Sequence, residues 1–133
     1  MDLLAYADEW RAAWNAHDLE RLLQHFDDWV VFKSPAAAKL VPGSGGTIIG
    51  KTALRAYWSE GLRLMPDLHF EVLAVYEGVD CVTINFLNQA GREANEVLIF
   101  REGMIVQGFG TYRSDPVEDG IELGVAQADR PSS

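Results

Sequence analysis

The sequence predicts a single α+β domain in which helices come first and an antiparallel sheet follows. Amphipathic helical segments occupy most of the first 65 residues, and four β-rich runs fill residues 68–113. The links between these runs are two to six residues long, which allows only antiparallel hairpins, because a parallel crossover needs a dozen residues or more. Helices followed by hairpins are typical of α+β domains. A chain of 133 residues can bury its own core without disulfides or metals.

Composition and charge limit the partners and the compartment. The formal net charge is −9, and nucleic acids and anionic membranes both attract basic surfaces, so we expect neither as a partner. The single cysteine, Cys81, can form no internal disulfide, which fits a reducing compartment. No apolar run approaches membrane-spanning length, and residues 1–10 are acidic and do not resemble a secretory signal. We therefore expect a cytoplasmic protein.

Two short amphipathic helices are predicted between residues 3 and 26, with a break at residues 15–17. The apolar face of the first consists of Leu3, Tyr6, Ala7, Trp10, Ala13 and Trp14. Asp18 follows the break, where its carboxylate can accept backbone N–H groups as the N-cap of the second helix. The apolar face of the second consists of Leu19, Leu22, Leu23 and Phe26. Because helices this short are unstable alone in water, both must pack on the sheet.

A strand, a loop and a third helix follow. Residues 29–34 are β-prone and end at Pro35, which suits a first strand. Residues 35–46 are rich in Pro, Gly and Ala and are predicted to form a loop. Residues 50–65 form the third helix, which Pro66 ends. Its apolar face consists of Leu54, Tyr57, Trp58, Leu62 and Met65.

The second half of the domain is a meander. Its strands are predicted at residues 68–76, 81–87, 94–101 and 104–113. Residues 115–133 have weak periodicity, so we expect residues 1–114 to form the domain and residues 115–133 to form a partly ordered tail along its surface.

Four segments between residues 6 and 113 carry a family resemblance: W-N-A-H-D-L-E-R-L-L-x-x-F-D-D, G-K-T-A-L-R-A-Y-W, M-P-D-L-H-F-E-V and I-F-R-E-G-M-I-V. Together they resemble the SnoaL-like and ketosteroid-isomerase-like group of the nuclear transport factor 2-like superfamily. The resemblance implies a cone, a curved antiparallel sheet wrapped around the N-terminal helices (a cystatin-like α+β roll), with a pocket at its open end. It also implies a homodimer formed through the sheet. The superfamily contains isomerases, cyclases, dehydratases, epoxide hydrolases and non-catalytic binders, so the fold does not determine the function.

The catalytic groups of these enzymes do not transfer as a set. The isomerase base, a carboxylate just before a proline, corresponds here to Ser34, whose hydroxyl has the wrong pKa to shuttle a proton between carbons. The oxyanion tyrosine corresponds to Trp10, and only the second oxyanion acid keeps its carboxyl, at Glu96. The Asp–Arg–Asp group of the epoxide hydrolases would fall near Thr83, Asn85 and Gly110, from which no such group can be assembled. The last strand also lacks the aspartate of the cyclases.

The resemblance nominates a set of pocket residues whose aromatic content suits a flat, apolar small molecule. The nominated ligand-binding residues are Trp10, Trp14, Phe26, Ser34, Trp58, Thr83, Asn85, Leu98 and Tyr112. Plain core packing is the alternative for the three tryptophans, because aromatic residues at helical spacing usually fill space. We expect a hollow interior bounded by Trp14 and Trp58.

The strand at residues 81–87 can be oriented in two ways. Its alternation alone would bury Val82, Ile84 and Phe86 against the helices. The resemblance instead places Thr83 and Asn85 inside the cone and leaves the apolar set to be covered by a partner subunit. We adopt the second orientation, which a shift of one residue in the alignment would reverse.

Glu96 is the candidate catalytic residue. It alternates in phase with Leu98 and Phe100, so it would lie in apolar surroundings if that face is internal, and desolvation would then raise its pKa into the range of a general acid or base. The alternative is a glutamate at the rim that forms a salt bridge with Arg92 or Arg113.

Two functions from different classes fit these residues. The first is a cofactor-free enzyme that performs proton transfer, dehydration or hydrolysis on a polyketide-, terpenoid- or steroid-like compound, with Glu96 as the proton-transfer group. In it Trp10, Asn85 and Tyr112 donate hydrogen bonds, and Trp14 and Trp58 form the walls. The second is a non-catalytic ligand-binding or assembly module that has lost the family's carboxylates. No metal is expected, because the three histidines and the one cysteine lack ligand spacing.

Overall fold

A computed structural model describes residues 1–115 and has the predicted α+β architecture. The helices are α1 (Leu3–Asn15), α2 (Leu19–Leu23), α3 (Pro35–Leu40) and α4 (Lys51–Leu64). The strands are β1 (Phe26–Lys33), β2 (Thr47–Ile49), β3 (Glu71–Gly78), β4 (Cys81–Leu87), β5 (Glu93–Arg101) and β6 (Met104–Tyr112). The predicted tail, from residue 116 on, lies outside the described residues. None of the helices in residues 1–115 is long and apolar enough to cross a membrane.

The six strands form one sheet in the order β2-β1-β6-β5-β4-β3. Strands β3 to β6 form the predicted antiparallel meander, and β1 joins the edge of β6 in parallel. Helix α1 lies on β3 and β4, and α4 lies on β1 and β2. The helices therefore cover one face of the sheet, and the core forms between them.

Local sequence signals explain where the helices begin. The Asp18 carboxylate accepts the backbone N–H of Arg21 at 3.1 Å, which confirms it as the N-cap of α2. The predicted loop after β1 is wrong in its first half, because residues 35–40 form α3. The Ser34 hydroxyl caps this helix by accepting the backbone N–H of Ala36, and Pro35 occupies the first turn, where its missing N–H costs nothing.

The expected orientation of β4 is wrong. Val82, Ile84 and Phe86 are buried beneath the helices, where the Phe86 ring lies 5.2 Å from that of Trp10. Thr83 and Asn85 lie on the opposite face of the sheet and are half-buried. The apolar alternation decides the strand's orientation, because turning it by one residue would expose three apolar side chains and bury two polar ones.

Two glycines of β6 make room for side chains of the neighbouring segments. A methyl group added at Gly108 would lie 2.6 Å from the Phe32 ring, so the glycine lets that ring lie across β6. At Gly110 it would lie 3.1 Å from the Ser34 hydroxyl oxygen. The strip that these glycines leave on the inner face is therefore partly filled from β1 and the start of α3.

The orientation of β4 predicts unequal effects of alanine substitution at two adjacent positions. We expect Ile84→Ala to lower the free energy of unfolding by about 2–5 kcal/mol, because it removes fully buried methyl groups and leaves a cavity. Its matched control, Thr83→Ala, is expected to cost about 1 kcal/mol or less, since that side chain lies on the outer face. Urea unfolding of both variants measures the difference, and the reverse order would contradict the orientation.

Candidate functional site

A cavity of about 230 Å³ lies between α4, the end of α1 and the inner face of the sheet. Its aromatic lining residues are Trp14, Phe32, Tyr57, Trp58, Phe70, Phe86 and Tyr112. The rings pack against one another. The Trp14 and Trp58 ring centroids lie 5.0 Å apart with an interplanar angle of 73°, and those of Phe70 and Phe86 lie 4.5 Å apart. Such interlocked aromatic pairs have few ways to rearrange, so the cavity presents fixed, flat walls. The hollow expected beneath Trp14 and Trp58 is present.

Glu96 contributes a carboxyl group to this apolar wall. It lies on β5, opposite Gly110 of β6, and only 7% of the residue is exposed. The Trp10 indole N–H donates a hydrogen bond to its Oε2 at 3.3 Å. Burial raises the pKa of Glu96 to about 7, and the Trp10 hydrogen bond opposes this shift only in part. Near neutral pH the group can therefore either accept or donate a proton.

The salt-bridge alternative for Glu96 is wrong. Within residues 1–115 its carboxylate forms no ion pair, whereas Arg113 pairs with Glu93 at 3.1 Å and with Asp115 at 2.9 Å. Those contacts lie at the solvent-exposed end of the sheet. Glu96 thus meets the general condition for a functional carboxyl, burial without a compensating charge.

Three hydroxyl groups form a second polar feature of the cavity. Burial raises the pKa of Tyr57 and that of Tyr112, and in both cases a hydrogen bond with the Ser34 hydroxyl opposes the shift. Both phenols are therefore neutral at physiological pH and able to donate a hydrogen bond. The absent side chain at Gly110 leaves the space in which Ser34 approaches the sheet.

The structure brings some of the nominated residues together and separates others. Five line the cavity: Trp14, Ser34, Trp58, Glu96 and Tyr112. Three are fully buried and pack behind its wall: Trp10, Phe26 and Leu98. The remaining two, Thr83 and Asn85, lie outside the cavity on the other face, where the Asn85 amide donates to Glu93 and Asn95. Their expected place in the pocket is wrong for the reason given for β4.

Sequence reasoning missed several residues of the site. Tyr57 and Phe86 were recognised as members of apolar faces, but nothing in a periodic pattern separates a wall residue from a core residue. Asn88, Gln89 and Arg92 line the mouth of the cavity and come from the turn between β4 and β5. A turn of this composition usually points to solvent, so no sequence signal distinguished it.

Comparison with known proteins agrees with this architecture. A family model for the SnoaL-like domain matches residues 7–108. A SnoaL-like protein of unknown function from Burkholderia thailandensis is 38% identical over 84% of this chain and 93% of that chain, with a TM-score of 0.79. IdmH, a proposed polyketide cyclase from Streptomyces antibioticus, is 16% identical over 96% and 99% of the two chains, with a TM-score of 0.70. Among functionally curated proteins, none matches this chain.

A third structure, a hypothetical protein with a ketosteroid isomerase-like fold from Catenulispora acidiphila, is 18% identical. The alignment covers 79% of this chain and 82% of that chain, with a TM-score of 0.65. At this identity, as with IdmH, the likeness concerns the fold alone.

The raised pKa of Glu96 predicts a pH-dependent loss of stability. At pH values below the ordinary pKa of 4.5 the carboxyl is protonated in both the folded and the unfolded chain. The stability of the folded state is then not reduced by ionisation of this group. As the pH rises towards 7 the unfolded chain ionises first, so the folded state loses about 3 kcal/mol relative to it. Above pH 7 the loss is complete.

Glu96→Gln removes this titration and serves as the reference. We expect the difference in unfolding free energy between wild type and Glu96→Gln to fall by about 3 kcal/mol from pH 4.5 to pH 7.5, as measured by urea unfolding. Surface carboxylates such as Glu9 and Glu60, whose pKa values are lowered by arginine partners, are present in both proteins. Their contributions to the pH dependence of unfolding therefore cancel in the difference. Parallel pH curves would contradict the burial of an ionisable Glu96.

Proposed function

Because this chain belongs to the SnoaL-like family, we propose that it is a cofactor-free enzyme that moves a proton on a flat, apolar small molecule. Polyketide-, terpenoid- and steroid-like compounds have the required shape. The observation that carries the proposal is the Glu96 carboxyl group, buried in an aromatic cavity and free of any charged partner in residues 1–115. Isomerisation, cyclisation, dehydration and hydrolysis all use such a group.

The geometry supports a simple mechanism. The ionised Glu96 takes a proton from a carbon next to a ligand carbonyl group, and the electron pair of the broken C–H bond moves onto the carbonyl oxygen. The neutral hydroxyls of Tyr57 and Tyr112 are placed to donate hydrogen bonds to that oxygen. Glu96 then returns the proton to the same or another carbon. Trp10 holds one carboxylate oxygen, Oε2, and leaves Oε1 for the ligand.

A non-catalytic ligand-binding module is the second candidate. It is favoured by the residue before Pro35, which is a carboxylate base in the isomerases. Here this residue is Ser34, which has no carboxyl group and whose hydroxyl caps α3. Glu96 is consequently the one carboxylate among the residues that line the cavity within residues 1–115. A protein that had kept the cavity for binding alone would have lost its acids in this way.

We propose that the protein forms a homodimer through the outer face of its sheet. Tyr76, Thr83, Val97 and Phe109 lie opposite one another in register on four successive strands and form a continuous, mostly apolar row. Tyr76 is 64% exposed. These residues replace Val82, Ile84 and Phe86 as the expected interface, because the helices of the same chain already cover the latter.

Proton transfer can be tested without the natural substrate. We use 2-tetralone, a flat ketone whose acidic C–H groups lie next to its carbonyl, and follow their exchange for deuterium in D₂O by NMR. The wild type is expected to accelerate exchange, with a rate that rises through about pH 7, and Glu96→Gln to slow it by roughly 10²–10⁴-fold. Leu4→Ala, at an exposed position on α1 outside the cavity, is the control that leaves the cavity intact. A wild type that binds 2-tetralone but does not exchange its protons would support the binding module.

The dimer predicts a selective effect of charge on the outer face. Val97→Glu is expected to halve the molar mass measured by light scattering, because an unpaired charge in an apolar interface is strongly unfavourable. Leu4→Glu, at a 59% exposed position on α1, adds the same charge away from the sheet and should leave the mass unchanged. A Val97→Glu variant that keeps the wild-type mass, or a monomeric wild type, would contradict this interface.

A further inference from the structure

Arg92 is held firmly at the mouth of the cavity. It lies at the end of the turn between β4 and β5, where the Asn88 side-chain oxygen accepts the backbone N–H groups of Ala90 at 2.9 Å and Arg92 at 3.0 Å. The backbone N–H of Asn88 in turn donates to the Arg92 carbonyl at 2.9 Å. The turn therefore fixes the point from which the Arg92 side chain extends along the cavity wall.

The guanidinium group of Arg92 lies over a tyrosine and keeps an unused donor. Its Cζ is 4.8 Å from the centroid of the Tyr112 ring, so the cation rests against the aromatic face. Its Nη2 is buried and has no hydrogen-bond partner within residues 1–115. A buried donor without a hydrogen-bond partner destabilises the folded state by about 1–3 kcal/mol, so such groups are rare in folded proteins.

Five of the other described arginines contrast with Arg92, whereas Arg101 is exposed and forms no ion pair within residues 1–115. Arg11, Arg21, Arg55, Arg63 and Arg113 each pair with a carboxylate on the surface. Arg92 faces the cavity and pairs with no carboxylate of residues 1–115, although the chain carries a net charge of −9. Glu96 lines the same cavity, yet no ion pair joins the two residues.

A second unused donor lies on the same cavity wall. The Trp14 indole N–H is also buried without a partner in the described part of the chain. Indole and guanidinium groups donate hydrogen bonds and accept none. An acceptor on a molecule that fills the cavity would satisfy both groups, and the cationic one favours an anion.

We propose that Arg92 binds a carboxylate of the ligand, so that the cavity prefers an apolar organic acid to a neutral compound of the same shape. This inference rests on the proposed function in that it assigns the ligand class of the same cavity. A carboxylate matches the planar guanidinium fork, and a charge-assisted hydrogen bond of this kind is stronger than a neutral one. The apolar body of the acid lies against the aromatic wall, with its carboxylate at the β4–β5 turn.

The test compares two probes with the same ring system, one with a carboxylate and one with a neutral amide. 2-Naphthoate carries a carboxylate on a flat, apolar ring system, and 2-naphthamide is its neutral counterpart. Isothermal titration calorimetry is expected to show that the wild type binds 2-naphthoate more tightly than 2-naphthamide. Arg92→Met should weaken the binding of 2-naphthoate at least about tenfold and leave the affinity for 2-naphthamide unchanged. Arg92→Lys keeps the charge but not the planar guanidinium fork, so its affinity for 2-naphthoate should fall less than that of Arg92→Met.

The controls separate this inference from packing, from net charge and from catalysis. Arg63→Met makes the same charge change at an exposed residue outside the cavity and should bind both probes as the wild type does. Equal weakening of both probes by Arg92→Met, no preference in the wild type, or no binding of either probe would overturn the proposal. Glu96→Gln should keep the preference for 2-naphthoate, so a failure of the exchange assay leaves this result readable on its own.

Discussion

The burial of the Glu96 carboxyl group is the constraint on which the site depends. A carboxylate that loses its hydration without gaining a cation is strongly destabilised, so the group stays protonated to higher pH instead. Trp10 satisfies one of its oxygens and does so with a single neutral N–H. A second donor or an arginine at this position would hold the carboxylate ionised and remove its ability to exchange protons near pH 7. The weakness of its hydrogen bonding is thus a condition of its chemistry.

The cavity exists because aromatic rings and glycines divide the interior unevenly. Helix α1 brings Trp10 and Trp14 onto the sheet, and Trp10 packs tightly against Phe70 and Phe86. Closer to β6, Gly108 lets Phe32 lie across the strand, and Gly110 leaves room for the small Ser34 side chain. The remaining space is bounded by rigid rings, which resist collapse, together with aliphatic side chains, and a void persists there.

Much of the fold could be predicted from the sequence, because helices and strands impose periods that apolar residues reveal. The faces of α1 and α4 and the β3–β6 meander followed from such periods. Strand β4 was misplaced because the family resemblance was preferred to the strand's own apolar alternation, and an alignment shift of one residue reverses the two faces. Helix α3 was missed because its composition was read as a loop, although the Ser34-Pro35 pair is a helix-start signal.

Residues of the site could be predicted only where the pattern of a single strand or helix identifies them. Glu96 was found because a carboxylate in phase with Leu98 and Phe100 conflicts with its apolar neighbours along one strand. Arg92 could not be found, because its role depends on a turn that brings it over Tyr112, twenty residues away in sequence and on another strand. Contacts that join distant segments leave no periodic trace, and most of a cavity wall is made of them.

Glu96 and Arg92 carry opposite formal charges in one cavity and yet do not pair, and this separation has a chemical consequence. If they formed an ion pair, the carboxylate would stay ionised and the guanidinium would have no donor left for a ligand. Kept apart, Arg92 and the indole of Trp14 supply donors, the phenols of Tyr57 and Tyr112 supply neutral donors, and Glu96 supplies a group able to change its protonation state near pH 7. An acidic ligand anchored at Arg92 would not need Glu96 for binding. Recognition and proton transfer can therefore be assigned to different ends of the same cavity.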